Sequence, residues 1–109
     1  LGVATVREND GLAMSSRNRY LSPENRTRAA ALPREMHAAI ARLRAGEAPA
    51  PTMAGLAAAL VAAGFDSVDY AEWVDEDSLQ PLQAPGQGNG RLLVAARIAG
   101  TRLIDNMIV

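Results

Sequence analysis

The chain has 109 residues, 49% of them hydrophobic, with no cysteine and 11 basic against 12 acidic residues, for a net charge of −1. That is one domain's worth of sequence, able to bury roughly two-thirds of its unfolded surface without covalent staples. A disulfide framework and a thiolate metal site are excluded, and the balanced charge gives no field for a polyanion, so no nucleic acid partner is expected. No apolar run reaches membrane-spanning length and no signal peptide is visible, so the expected setting is cytoplasmic, with no membrane partner.

Leu1 to Val6 is β-branched enough for a short strand, and Arg7 to Gly11 reads as a loop because Asn9-Asp10-Gly11 favours a turn. The chain opens without methionine, which leads us to expect a fragment whose first strand belongs to a sheet upstream. Ser22 is a good N-cap, Pro23 fits the first helical position, and Glu24 complements the helix dipole. Ala29, Leu32, Met36, Ala39, Ile40 and Leu43 then form one apolar stripe. Pro33 interrupts that helix, and because the stripe keeps its phase the expectation is a kink, not an end. Arg42 and Arg44 suit the last turn, which Gly46 closes.

Glu47 to Pro51 reads as a stiff connection to a second helix starting near Pro51 or Thr52, running through Met53, Leu56, Leu60 and Ala63 and ending at Gly64. Asp66 to Val74 alternates as a strand with Val68, Tyr70 and Val74 on one face and Asp69, Ala71 and Trp73 on the other. Asp75 to Ser78 is an acidic turn, and Ala84 to Gly90 an exposed loop. Arg91 to Ile98 and Arg102 to Asn106, joined by Ala99-Gly100-Thr101, read as a β-hairpin. The expected fold class is α+β: a small antiparallel three-stranded sheet with two helices packed on one face, the other face partly wet, preceded by a strand and loop.

Little chemistry is on offer. His37 is the only histidine and no cysteine exists, so neither a metal site nor a partnered nucleophile is expected, and His37 reads as core-flanking or surface. Ser15 and Ser16 lack an elbow motif and a base, so neither is a nucleophile. The glycines at 86, 88 and 90 lack the spacing of a phosphate-binding fingerprint. Asp75, Glu76 and Asp77 read as a solvated turn, and Trp73 as a packing residue. What remains is Met14-Ser15-Ser16-Arg17. Two hydroxyl donors beside a planar, permanently charged fork suit phosphate oxygens, and Arg17, Arg19, Arg26 and Arg28 face one nearby acid, Glu24. A solvated helix start is the competing reading.

Val6-Arg7-Glu8, Asp10 to Asn18, Tyr20-Leu21-Ser22, Val68-Asp69-Tyr70, Leu92 to Arg97 and Gly100 to Asn106 resemble, in that order, the C-terminal part of the pantoate–β-alanine ligase (pantothenate synthetase) family. The resemblance spans essentially the whole chain. It implies a boundary at residue 13, with 1–13 the remnant of a last N-domain strand and inter-domain loop, and 14–109 a lid domain over ATP. It implies that Met14-Ser15-Ser16-Arg17 is the counterpart of the KMSKS loop of class I aminoacyl-tRNA synthetases. Ser15, Ser16 and Arg17 would then act catalytically on the ATP phosphates, with the backbones of Val6 and Met14 bordering the adenosine. The implied partners are an N-terminal Rossmann-like domain, the pantoate and β-alanine it binds, and a second copy in a homodimer; Mg2+ would accompany ATP without ligands from this domain. The chain has no lysine and no paired-histidine motif, so by this resemblance it does not make pantothenate alone. A reading of a different class is a noncatalytic module that binds an acidic protein; a third is a fragment of another nucleotidyl transferase with a similar loop.

Overall fold

Local capping chemistry sets the first helix where the sequence puts it. In the computed structural model, which describes residues 7, 11–12, 21–75 and 90–108, Ser22 has an extended backbone and its Oγ accepts from the Asn25 N–H at 3.2 Å. That satisfies one of the donors a helix start leaves open. Helix α1 spans Pro23–Ala29 and α2 spans Ala31–Arg44.

The division at Ala30 corrects the expectation of one kinked helix. A proline removes a backbone donor and its ring crowds the carbonyl four residues earlier, here that of Ala29. Ending α1 at Ala29 places Pro33 third in α2, where no intrahelical donor is needed. Ala30 N–H turns instead to the Thr27 carbonyl at 3.3 Å, and the ladder resumes with Arg34 N–H on the Ala30 carbonyl at 3.4 Å. The stripe survives: Ala29, Leu32, Met36, Ala39, Ile40 and Leu43 are all buried.

Helix α3, Pro49–Ala62, starts earlier than the sequence reading placed it, so most of the expected connection is helical. Ala48 is extended and acts as its N-cap, and Pro49 and Pro51 both fall in the first turn, where their missing N–H groups cost nothing. The buried Thr52 hydroxyl donates back to the Ala48 carbonyl at 2.8 Å. The described residues thus hold three helices where two were expected, but the α+β class and its layering stand.

Strands β1 (Ser67–Asp75), β2 (Gly90–Ile98) and β3 (Thr101–Ile108) form an antiparallel sheet in the order β1-β2-β3. Ala99 and Gly100 both have positive φ, 50° and 79°, and make the two-residue turn between β2 and β3. Such a turn matches the twist of the strands it joins. Asp66 supports it from outside, its Oδ2 accepting from the Ala99 N–H at 2.9 Å.

A bulge at Asp69 overturns the expected faces of β1. Val68 pairs with Ala96 and Tyr70 with Ala95, so Asp69 is the extra residue. An unpaired residue reverses the alternation beyond it. Val68, Ala71 and Trp73 therefore share the inner side with Leu92, Val94 and Ala96, while Tyr70, Glu72 and Val74 lie outward with Arg91, Leu93 and Ala95. The inner side meets the helices in one cluster that includes Leu32, Met36, Leu56, Leu60, Phe65 and Leu92. Full burial of each large side chain contributes about 1.5–3 kcal/mol. On the outer side, Ile104 and Ile108 are about half exposed, as a partly wet face requires.

Candidate functional site

Val6, Met14, Ser15, Ser16 and Arg17 lie outside the described residues, as do Arg19, Glu76, Asp77, the expected strand 1–6 and all of the expected loop 84–90 but its last glycine. The site is therefore built here from what flanks it. Upstream, Leu12 is 1% exposed and belongs to the central cluster; downstream, Leu21 belongs to the same cluster and is followed at once by the capping Ser22. Segment 13–20 is thus flanked on each side by a buried leucine. Gly11 makes the sharp turn into it at φ +89°, a conformation that side-chain-bearing residues rarely adopt.

Arg7 fastens that turn to the far end of the chain. Its Nη1 donates to Asp105 Oδ2 at 2.7 Å and to the Gly11 carbonyl at 2.9 Å. Its Nη2 donates to Asp105 Oδ1 at 2.8 Å and to the Asn106 carbonyl at 3.2 Å. Asp105 Oδ1 also accepts from the Asn106 N–H at 2.7 Å. The carboxylate side chain is wholly buried, while that of Arg7 is 24% exposed. Asp105 pairs with Val94 and alternates with Leu103 and Met107, so it stands on the inner side of β3 among apolar neighbours. An unpaired charge there would be costly, and a bidentate guanidinium with further hydrogen bonds is what makes the position tenable.

Sequence reasoning quoted Arg7 and Asp105 within motifs but gave neither a role. The signal was present: an acid in phase with Leu103 and Met107 on a half-buried strand needs a cation, although nothing local says which one. Arg28, grouped above with the candidate anion-binding arginines, is engaged elsewhere. Its Nη1 donates to Asn25 Oδ1 at 3.3 Å and its stem lies against Gly64 at the end of α3. Arg26 is half-buried, and His37 is exposed on α2. Trp73 is buried as expected; its Nε1 has no hydrogen-bond partner among the described residues and lies against Gly90.

A second charged cluster sits on the outer side of the sheet. Arg97 Nε donates to both Asp69 oxygens at 3.2 Å, Arg102 Nε donates to Oδ2 at 2.8 Å, and the Arg102 guanidinium lies 5.9 Å from the Tyr70 ring centre. Hydrogen bonds first from Arg97 and then from Arg102 hold the Asp69 carboxyl below its ordinary value of 3.8. Among the described residues no group of three histidine, cysteine or acidic side chains is placed to hold a metal, and no helix is long and apolar enough to cross a membrane.

Three comparisons bear on what this arrangement is for. The family model described as pantoate-beta-alanine ligase matches residues 1–108. The pantothenate synthetase of Rhodopseudomonas palustris (strain BisB18) is 54% identical over 109 residues, all of this chain and 38% of its own length. That of Myxococcus xanthus (strain DK1622) is 56% identical over 110 aligned positions, covering 98% of this chain and 37% of its own length. The crystal structure of pantothenate synthetase from Thermus thermophilus superposes with a TM-score of 0.84 at 42% identity, over 98% of this chain and 38% of that one. The chain therefore spans under two-fifths of the relatives it matches.

Proposed function

The chain belongs to the pantoate–β-alanine ligase family, and on that premise we propose that it is the C-terminal ATP-lid domain of an ATP-dependent ligase that makes pantothenate. Residues 14–109 form the lid and 1–13 the connection to an N-terminal Rossmann-like domain. That domain binds pantoate and β-alanine, and the whole enzyme is a cytoplasmic homodimer. The pantoate carboxylate attacks the α-phosphorus of ATP and expels pyrophosphate; the β-alanine amine then attacks the acyl carbon of the pantoyl adenylate and expels AMP. Ser15, Ser16 and Arg17 donate to the ATP phosphates, and the backbones of Val6 and Met14 border the adenosine. Mg2+ arrives with ATP and takes no ligand from this chain.

The observation that carries the reading is the family match over residues 1–108. The chemistry of the loop is in keeping with it, because negative charge grows on the departing pyrophosphate and donors already aimed at it stabilise that charge without reorganising solvent. With no lysine and no paired histidines, the isolated chain is inactive in this reading.

The test is a full-length ligase made by placing this chain in the matching segment of the Rhodopseudomonas palustris enzyme. Arg17→Ala should lower the pantoate-dependent exchange of pyrophosphate into ATP by about 10²–10³-fold, the usual loss on removing one such donor, with the fold intact. An unchanged exchange rate removes Arg17 from the site.

A further inference from the structure

We propose that the unit built by the helices and the sheet begins no later than Arg7: Arg7, Gly11 and Leu12 fold with β3 as one cooperative piece, and the Arg7–Asp105 pair is the clasp that joins them. A boundary at residue 13 would leave all three in a connecting segment. Only the consequence for the whole enzyme rests on the reading proposed above.

The start of a unit stays loose unless something ties it down. Here Leu12 is 1% exposed and lies in the same apolar cluster as Met36, Leu60 and Leu92. Gly11 lies against α2, since a Cβ placed on it would meet Pro33 Cβ at 3.6 Å, an ordinary van der Waals contact. Arg7 reaches the last strand: its guanidinium donates to both Asp105 oxygens and to the Asn106 carbonyl, as well as to the Gly11 carbonyl.

The clasp makes separate opening of these residues costly. Nη1 alone bonds both the Gly11 carbonyl and Asp105 Oδ2, so the turn cannot leave without disturbing the ion pair. The Asp105 side chain is wholly buried, and among the described residues only Arg7 pairs with it. Were Arg7 to come away while the sheet stayed folded, that carboxylate would stand without a cation on the side of β3 that carries Leu103 and Met107. A buried charge stripped of its partner is strongly destabilising. Opening at Leu12 and opening of the sheet are therefore one event. In the whole ligase, any movement of this unit against the preceding domain then carries Arg7, Gly11 and Leu12 with it and pivots before Arg7.

The chain has no cysteine, so one introduced thiol reports the opening of its own site. Leu12→Cys, and Leu60→Cys as a reference in the core of α3, are labelled with a disulfide reagent under native conditions, and each is compared with its own unfolding constant from urea denaturation. Both thiols should label within about tenfold of the rate that global unfolding allows. Asp105→Asn removes the charge that opening would strand, and should uncouple the two sites: Leu12→Cys then labels about 10- to 100-fold faster than global unfolding allows, while Leu60→Cys still follows it. Fast labelling of Leu12→Cys with Asp105 in place overturns the inference, and so does labelling that Asp105→Asn leaves tied to global unfolding. If Leu12→Cys does not fold, hydrogen exchange of the Leu12 amide against that of Leu60, in the unsubstituted chain and in Asp105→Asn, is read in the same way. None of these readouts involves ATP, so their failure leaves the ligase reading standing, and an inert Arg17→Ala removes the loop assignment without touching the clasp.

Discussion

The two faces of the sheet each carry an aspartate held by arginine, and they use the same chemistry to different ends. On the inner face Asp105 is wholly buried, meets a bidentate fork from a residue 98 positions away, and accepts a backbone N–H as well. On the outer face Asp69 sits on a bulge in β1 and takes its partners from β2 and β3, with Arg97 exposed and Arg102 half-buried. The inner pair replaces the water its carboxylate has given up; the outer cluster still shares its charges with solvent. Burial, not the number of arginines, decides which pair organises the molecule. Two arginines on Asp69 cannot match one on Asp105, because exposed pairs are screened while an orphaned buried charge has nowhere to go.

The comparison breaks most visibly if Arg7 is removed outright. Arg7→Ala leaves Asp105 buried without its cation and should cost about 3–5 kcal/mol, measured by urea denaturation of the parent and variant chains. Asp105→Ala should cost less, because the stranded arginine is already partly exposed and can reach water. Equal losses, or a loss below about 1 kcal/mol for Arg7→Ala, would put the inner pair in the same category as the outer one.

A second inner-face test needs no charge. A Cβ at Gly90 would collide with Trp73 Nε1, on an indole that is itself buried. Gly90→Ala should therefore destabilise by about 1–3 kcal/mol through overpacking, with altered near-ultraviolet dichroism from the sole tryptophan. An unperturbed spectrum and unfolding midpoint would mean that the inner face is looser than the close Trp73 contact implies.

The sequence was legible where the deciding interaction is local. The start at Ser22-Pro23 could be read because capping is local: a hydroxyl three residues from an N–H it can reach. Ala30 could be read only as a disturbance near Pro33, since a kink and a break satisfy the same proline and the choice falls on how the flanking residues pack. The bulge was invisible because alternation assumes unbroken pairing, whereas Asp69 is drawn out by arginines 28 and 33 positions away. Arg7 and Asp105 failed for the same reason at longer range. Met14 to Arg17 can be read as composition and as a family motif, and lies outside the described residues.

The smallest expected effect is on the outer face, and its sign with pH distinguishes it from the packing effects above. The Asp69 carboxyl titrates below its ordinary value of 3.8 in the folded chain, through hydrogen bonds from Arg97 and then Arg102. A carboxylate favoured in the folded state binds its proton more readily when unfolded, so its contribution is complete above 3.8 and is lost as pH falls through the lowered folded-state value. Asp69→Asn should then be slightly less stable than the parent at about pH 7, with the gap closing toward about pH 3 and shrinking in high salt. Urea midpoints across that range measure it. A gap that ignored both acid and salt would mean that Asp69 matters as the shape of the bulge and not as a charge, and the two faces would then differ in kind and not merely in exposure.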